Sequence, residues 1–302
     1  MRLGVDELFT MLPPLHSSTQ QVATVSAEAA AATGLAAGTR LFMGGPDVSL
    51  GPAGIGDLSN AILICVFGSW SVSVLNVSDT TGSPLVINHP LQGHFLSGLG
   101  DDNAGIALDK IIDLWFAELV SECELSGSNL HQTLEKIVSS TDRNSLLFIP
   151  HVFGSMLKPV ALSGLLGLRA QTERKDIFKA ICEGILLGYF PNISLLPLFE
   201  GVSKVWLIGA GAKGDLIGQM MADIFGRQVL LPEDTEITAR GAAVCAMLGS
   251  QDGGLLSEIP APRVRKRFTP DTSMAEYYSN KAALISKILL QGDPLLDAAA
   301  QL

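Results

Sequence analysis

KVWLIGAGAKGDLIGQMMADIFGRQVLLP, residues 204–232, has two apolar, strand-like runs on either side of a segment whose hydrophobics repeat at helical spacing. Between the first run and the helix lie Gly209, Gly211 and Gly214, a G-x-G-x-x-G junction. Such a junction points backbone N–H groups at an anion, usually a phosphate. It fits a dinucleotide-binding dehydrogenase as readily as a kinase. Glu233, just after the second strand, even stands about where a dehydrogenase needs an acidic residue for its ribose, about 20 residues on.

On the C-terminal side, ITARGAAVCAMLG predicts a small-residue helix and residues 273–290 a last amphipathic one. On the N-terminal side, Ile177, Ile181, Gly184, Ile185 and Gly188 share one helical face, and the two glycines allow close packing against another element. Further back, 146–154 reads as a strand leaving into a loop, and 104–120 as a helix. AILICVF and SVSVLNV read as a hairpin around Gly68-Ser69-Trp70. AEAAAATG is a helix candidate, and RLFMGGPD is a strand that runs out into glycines and Asp47. With a hairpin early and alternating strands and helices late, the class is mixed α/β.

The 302 residues are 47% hydrophobic and only 17% charged, with a net charge of −10. That balance argues against nucleic acid as a partner, since such binding rests on neutralising phosphates with excess Lys and Arg. The cluster Arg263, Arg265, Lys266, Arg267 is the local exception and reads as a solvated linker. Cys65, Cys123, Cys182 and Cys245 form no C-x-x-C pair and read as buried thiols of a cytoplasmic protein. Residues 58–78 lack charge, but the Gly-Ser interruption and the alternation after it fit two strands better than a membrane span. The five histidines show no metal-ligand spacing, so no metal site is expected from protein side chains.

Two local features could carry chemistry. Asp47, where a strand ends, could act as a general base facing a cleft, or could simply cap the next helix. Gly68-Ser69-Trp70 could present backbone donors to a phosphoryl group, or be an ordinary turn.

Taken in order, these pieces resemble the C-terminal portion of the FGGY carbohydrate kinases. The most specific match is Ser163-Gly164-Leu165-Leu166-Gly167-Leu168, then seven residues, then Asp176-Ile177, two more, and Ala180-Ile181-Cys182-Glu183. It is similar to the family's second signature, with Cys182 where an aliphatic or aromatic residue is usual. The resemblance implies an actin-like (ribonuclease H-like) ATPase domain, the C-terminal half of a two-domain sugar kinase. Residues 1–55 would be the tail of the N-terminal domain, 56–255 the C-terminal kinase domain, and 256–302 a linker and C-terminal helix.

The resemblance also implies roles. Asp47 falls where the family has its catalytic base. Gly68, Ser69 and Trp70 resemble its second phosphate loop, the Trp most like the branch that includes L-xylulose kinases. Gly209, Ala210, Gly211 and Lys213 fall in the adenosine loop, where the glycines would let adenosine lie against backbone. The reaction implied is ATP- and Mg²⁺-dependent phosphorylation of a sugar, a pentulose such as xylulose. A non-catalytic nucleotide-binding remnant is the alternative, and an NAD-dependent oxidoreductase a more distant one.

Two departures accompany it. Gly51-Pro52 interrupts the stretch after Asp47, and a proline inside a helix costs about 3 kcal/mol. The family's N-terminal D-x-G-T/S motif is absent; Asp79-Thr80-Thr81-Gly82-Ser83 is the nearest string and reads as a turn. The expectation is a kinase half that is inactive alone and meets a separate N-terminal half or a second copy of itself. Its final helix should then pack on the other half.

Overall fold

The computed structural model describes residues 11–91, 93–138, 142–154, 161–250 and 260–291. Within them the first half runs β1 (Gln21–Thr24), α1 (Ala27–Thr33), β2 (Arg40–Phe42), α2 (Asp47–Ile55), β3 (Ile62–Phe67), β4 (Ser71–Val77), β5 (Val86–Asn88), β6 (Phe95–Asp101), α3 (Gly105–Trp115), α4 (Ala117–Ser126) and α5 (Leu130–Lys136). Then follow β7 (Leu147–Ile149), β8 (Gly164–Leu166), α6 (Arg174–Ser194), β9 (Lys204–Ile208), α7 (Leu216–Phe225), β10 (Gln228–Pro232), α8 (Ile237–Ser250), β11 (Val264–Phe268) and α9 (Ala275–Gln291).

Seven strands form the central sheet in the order β11-β10-β9-β3-β4-β6-β5. β3, β9 and β10 are parallel, and the remaining pairs are antiparallel. Alternate side chains of a strand point to opposite faces, so a sheet covered on both sides needs apolar residues at nearly every position. The apolar runs of β3, β9 and β10 supply them. Leu63, Cys65, Phe67, Val205, Leu207, Val229 and Leu231 face a large core closed by α3, α6 and α7. Ile62, Ile64, Trp206, Ile208 and Leu230 face a smaller core with Ile55 of α2 and Ile237 of α8.

α2 and α8 cross through glycine. A Cβ on Gly241 would overlap the Leu50 carbonyl oxygen, and one on Gly54 would overlap the Ile237 carbonyl oxygen. This contact overturns the expectation that Gly51-Pro52 ends the helix, because α2 continues through Pro52 to Ile55. Residues 49–55 are all buried, and Gly51 lies flat on Ile208 and Val66. That burial outweighs the one backbone hydrogen bond the proline ring forfeits.

Two further expectations are corrected. Residues 263–267 are no solvated linker: β11 pairs antiparallel with β10, burying Phe268 against the larger core while its basic side chains reach outward. The final helix packs on its own domain, where Met274, Tyr278 and Ile285 meet Ile149 and Leu187. The glycines of α6 behave as their spacing predicts. A Cβ on Gly184 would overlap the Phe148 carbonyl oxygen, and Gly188 lies against the Pro150 ring. Residues 62–77 form the expected hairpin, and among the described residues no helix is long and apolar enough to cross a membrane.

Candidate functional site

Three of the segments singled out by sequence meet at one edge of the sheet, where β3 and β9 end. The β3–β4 turn is closed by a hydrogen bond from the Gly68 amide to the Trp70 carbonyl, at 2.9 Å. The first two amides of α3 seize this turn from behind: Gly105 N donates to Gly68 O at 3.1 Å and Ile106 N to Ser69 O at 3.0 Å. The Gly68 and Ser69 carbonyls are thereby committed to α3, and the turn's tip is open, with Trp70 66% exposed.

Beside it, the glycine loop folds back onto the end of β3. Gly209 has φ +86°, and a Cβ there would stand 2.9 Å from the Phe67 carbonyl oxygen. The conformation and the crowding both require glycine. The loop then makes one short 3₁₀ turn, with Ala212 N donating to Gly209 O and Lys213 N to Ala210 O, each at 3.1 Å. A cleft of about 230 Å³ opens on its front, lined by Val66, Ile208, Gly209, Ala210, Lys213 and residues 235–238.

Gly211 does not line that cleft. A Cβ there would lie 2.7 Å from the Phe67 ring, so its smallness serves the packing of loop on strand rather than an open face. Thr235, Glu236 and Thr238 were not singled out by sequence. They enter because β10 lies parallel to β9, which sets its C-terminal loop next to the glycine loop.

Asp47 reaches the same edge by another route. The β1–β2 ribbon leads into Gly44, where φ is +66°, and the chain turns into α2 with Asp47 as its first residue. Val48 packs against the smaller core, and Gly51 sits on Val66 and Ile208, two residues that also line the cleft. Asp47 itself is exposed, its Oδ1 accepting from the Val48 amide at 2.7 Å. Asp47 is thus the first residue of α2 and not its cap, a position held by Pro46.

The anion that the G-x-G-x-x-G junction invites is already present, and it is a protein carboxylate. Glu135 of α5 lies against Gly214, and its Oε2 accepts from the Asp215 amide at 3.4 Å as α7 begins. Burial pushes its carboxyl above the ordinary glutamate range, opposed by backbone hydrogen bonds from Asp215 and Leu216. A helix N-terminus offers only a few orphan N–H groups. Here Glu135 lies against the first of them. Glu233, the acidic residue a dehydrogenase would use, is not among the cleft's lining residues; its amide donates to Arg263 O at 2.8 Å.

The loop is also held from behind by β11. An Arg265 guanidinium nitrogen donates to the Ala212 carbonyl at 2.6 Å, and Lys266 Nζ lies 2.6 Å from Asp215 Oδ2. Another cleft, of about 490 Å³, opens behind the loop between α5, α7 and β11. The described cysteines are inert by comparison: all four are buried and free, and burial pushes the Cys65 thiol up to about 12. Among the described residues no group of three or more His, Cys, Asp or Glu could hold a metal ion.

The mixed sheet carries the 68–70 turn and the glycine loop on one edge and is crossed by two glycine-packed helices. The chain matches the C-terminal domain of the FGGY family of carbohydrate kinases over residues 63–250, and it belongs to that family. It is 32% identical to the xylulose kinase of Bacillus subtilis over 79% of this chain and 48% of that protein. It is 27% identical to the L-xylulose/3-keto-L-gulonate kinase of Escherichia coli over 82% of this chain and 49% of that one. The solved xylulose kinase of Rhodospirillum rubrum superposes with a TM-score of 0.75 at 21% identity, covering 94% of this chain and 57% of that one. The fold is the C-terminal half of a two-domain sugar kinase, an actin-like (ribonuclease H-like) ATPase domain. The chain spans about half the length of the curated relatives it matches.

Proposed function

We propose that this chain forms one wall of an ATP-dependent carbohydrate kinase whose substrate is a pentulose such as xylulose. What supports the reading is the seating of the Gly209–Lys213 loop on Phe67, just before the Gly68–Trp70 turn, together with the packing of α2, which begins at Asp47, on the cleft residues Val66 and Ile208. The two relatives named for xylulose or L-xylulose support the substrate class.

Each group has a role in the reading. Gly209, Ala210, Gly211 and Lys213 hold the adenosine, the first two and Lys213 as the cleft wall and Gly211 by seating the loop on Phe67. With α7 closed by Glu135, the phosphates run toward the Gly68-Ser69-Trp70 turn, whose backbone donors offset charge developing on the transferring phosphoryl group. Asp47 accepts the proton of the attacking sugar hydroxyl. Mg²⁺, which keeps several waters and binds through phosphate oxygens with one or two carboxylates, would arrive with ATP.

Residues 1–55 then form the tail of the first domain, 56–255 the nucleotide-binding domain and 256–302 its C-terminal extension. The facing wall comes from an N-terminal kinase half, and residues 11–46, with Leu15 98% and Met43 52% exposed, border it. Four buried free thiols fit a reducing, cytoplasmic setting. Titration calorimetry of the chain with ATP, ADP and NAD tests the nucleotide assignment. Heat from ATP or ADP and none from NAD is expected; binding of NAD alone would overturn it.

A further inference from the structure

We infer that Arg265, on the edge strand β11, is a positioning residue for the nucleotide loop; the inference rests on the nucleotide reading above. The loop's front is a cleft wall, so its shape must be fixed from its back. The last residue of its 3₁₀ turn, Ala212, is buried, and its carbonyl accepts from Arg265 at 2.6 Å. A second guanidinium nitrogen lies 3.9 Å from Asp215 Oδ1. One planar cation thus spans the loop from the turn to the start of α7, a reach a lysine ammonium lacks.

Lys266 is the natural comparison. It pairs with the same Asp215 at 2.6 Å, an exposed pair like that of Arg265, but has no hydrogen bond to the loop backbone among those described, and it is also drawn over the Phe268 ring at 5.0 Å. Exposed ion pairs contribute little. A charge-assisted hydrogen bond to a backbone carbonyl contributes more. Glu135 closes the far end by holding the Asp215 amide. A loop held at its 3₁₀ turn and at the start of α7 spares the nucleotide the entropy of ordering it, so its affinity depends on the residues behind it.

The test compares Arg265→Ala, Arg265→Lys, Lys266→Ala and the exposed neighbour Arg267→Ala as a charge-matched control. Each is measured for ADP affinity by calorimetry, for thermal midpoint, and for amide hydrogen exchange at residues 209–216 without nucleotide. Arg265→Ala should weaken ADP binding roughly tenfold or more and speed exchange at 212–216, with a midpoint close to that of Arg267→Ala. Arg265→Lys should recover part of the affinity, and Lys266→Ala should change it little. Unchanged affinity and exchange in Arg265→Ala would overturn the inference, as would an equal loss in Arg267→Ala. Faster exchange at 212–216 in a protein that binds no ADP even as wild type would uphold the loop clamp and fail the nucleotide reading instead.

Discussion

Lys281 Nζ lies 2.5 Å from Glu183 Oε2, and both side chains are almost fully buried between α9 and α6. Lys179 Nζ stands 3.5 Å from the other carboxylate oxygen, and the Tyr277 hydroxyl donates to both oxygens at 3.0 and 3.1 Å. One carboxylate therefore serves two buried ammonium groups. Burial lowers the Lys281 pKa against the pull of Glu183, as expected of a cation taken out of water. Removing Glu183 takes away the carboxylate that both cations share, whereas removing Lys281 leaves Lys179 and Glu183 paired. Glu183→Gln should cost about 3–5 kcal/mol, the usual effect of breaking a buried pair, and Lys281→Met distinctly less. Denaturant titrations of the two variants decide it; an equal cost, or a reversed order, counts against the balance of charges described.

A second prediction concerns Gly211. Because its missing Cβ faces the Phe67 ring at 2.7 Å, Gly211→Ala should behave first as an overpacking defect. Such defects typically cost about 1–3 kcal/mol. Phe67→Leu shortens the obstructing side chain and should restore part of that loss in the double variant, a coupling a double-mutant cycle measures. If Gly211→Ala lost nucleotide affinity with no loss of stability, the residue would face the cleft after all.

The parts of the fold that could be read from sequence are those whose burial leaves a periodic trace. β3, β4, β9, β10, α7 and α8 are apolar runs or repeats, and each is found where the pattern puts it. β6 was hidden by Gly98 and Gly100, which look like loop residues; in the sheet a Cβ on Gly98 would meet Val74 at 2.9 Å. β11, VRKRF, was hidden because an edge strand turns only Val264 and Phe268 inward and presents charges elsewhere. The site divides the same way. Asp47, the 68–70 turn and the glycine loop carry local signatures. Glu135 and Arg265 reach the loop region from 80 and 53 residues away, Thr235 lines the same cleft from the next loop, and only the folded sheet brings them there.

Asp101 supplies a pH dependence. It ends β6 opposite Ser71, directly beneath the 68–70 turn, with its Oδ1 accepting from the Asn103 amide at 2.8 Å. Burial raises its carboxyl above the ordinary 3.8, only partly offset by those hydrogen bonds. A carboxyl raised in the folded state binds more protons folded than unfolded, so its contribution falls as pH climbs from about the ordinary value through the raised one. Asp101→Asn removes the titration. Its melting temperature relative to wild type should therefore be more favourable at pH 7 than at pH 4. A larger relative gain at pH 4 would mean the carboxyl is stabilised in its ionised form.

The last prediction joins Asp47 to the facing wall. Phosphoryl transfer leaves little covalent chemistry to the protein; it needs the nucleophile in line and the transferring charge neutralised from both sides of the cleft. In the proposed reading this chain supplies a base candidate at the start of α2, a turn to receive phosphate and a loop to receive nucleoside. Asp47 is exposed, its only hydrogen bond among those described being the one to the Val48 amide. A coupled ADP-release assay on the chain alone with a panel of pentuloses should therefore show negligible sugar-dependent turnover. Adding the N-terminal half of a related kinase should raise it. In that assembled enzyme Asp47→Asn should leave ADP affinity intact and lower turnover by roughly 10²–10⁴, the usual contribution of a positioned base. Robust turnover by the chain alone would refute the need for a second wall. Full turnover in the assembled Asp47→Asn enzyme would instead refute Asp47 as the base and leave the two-wall cleft standing.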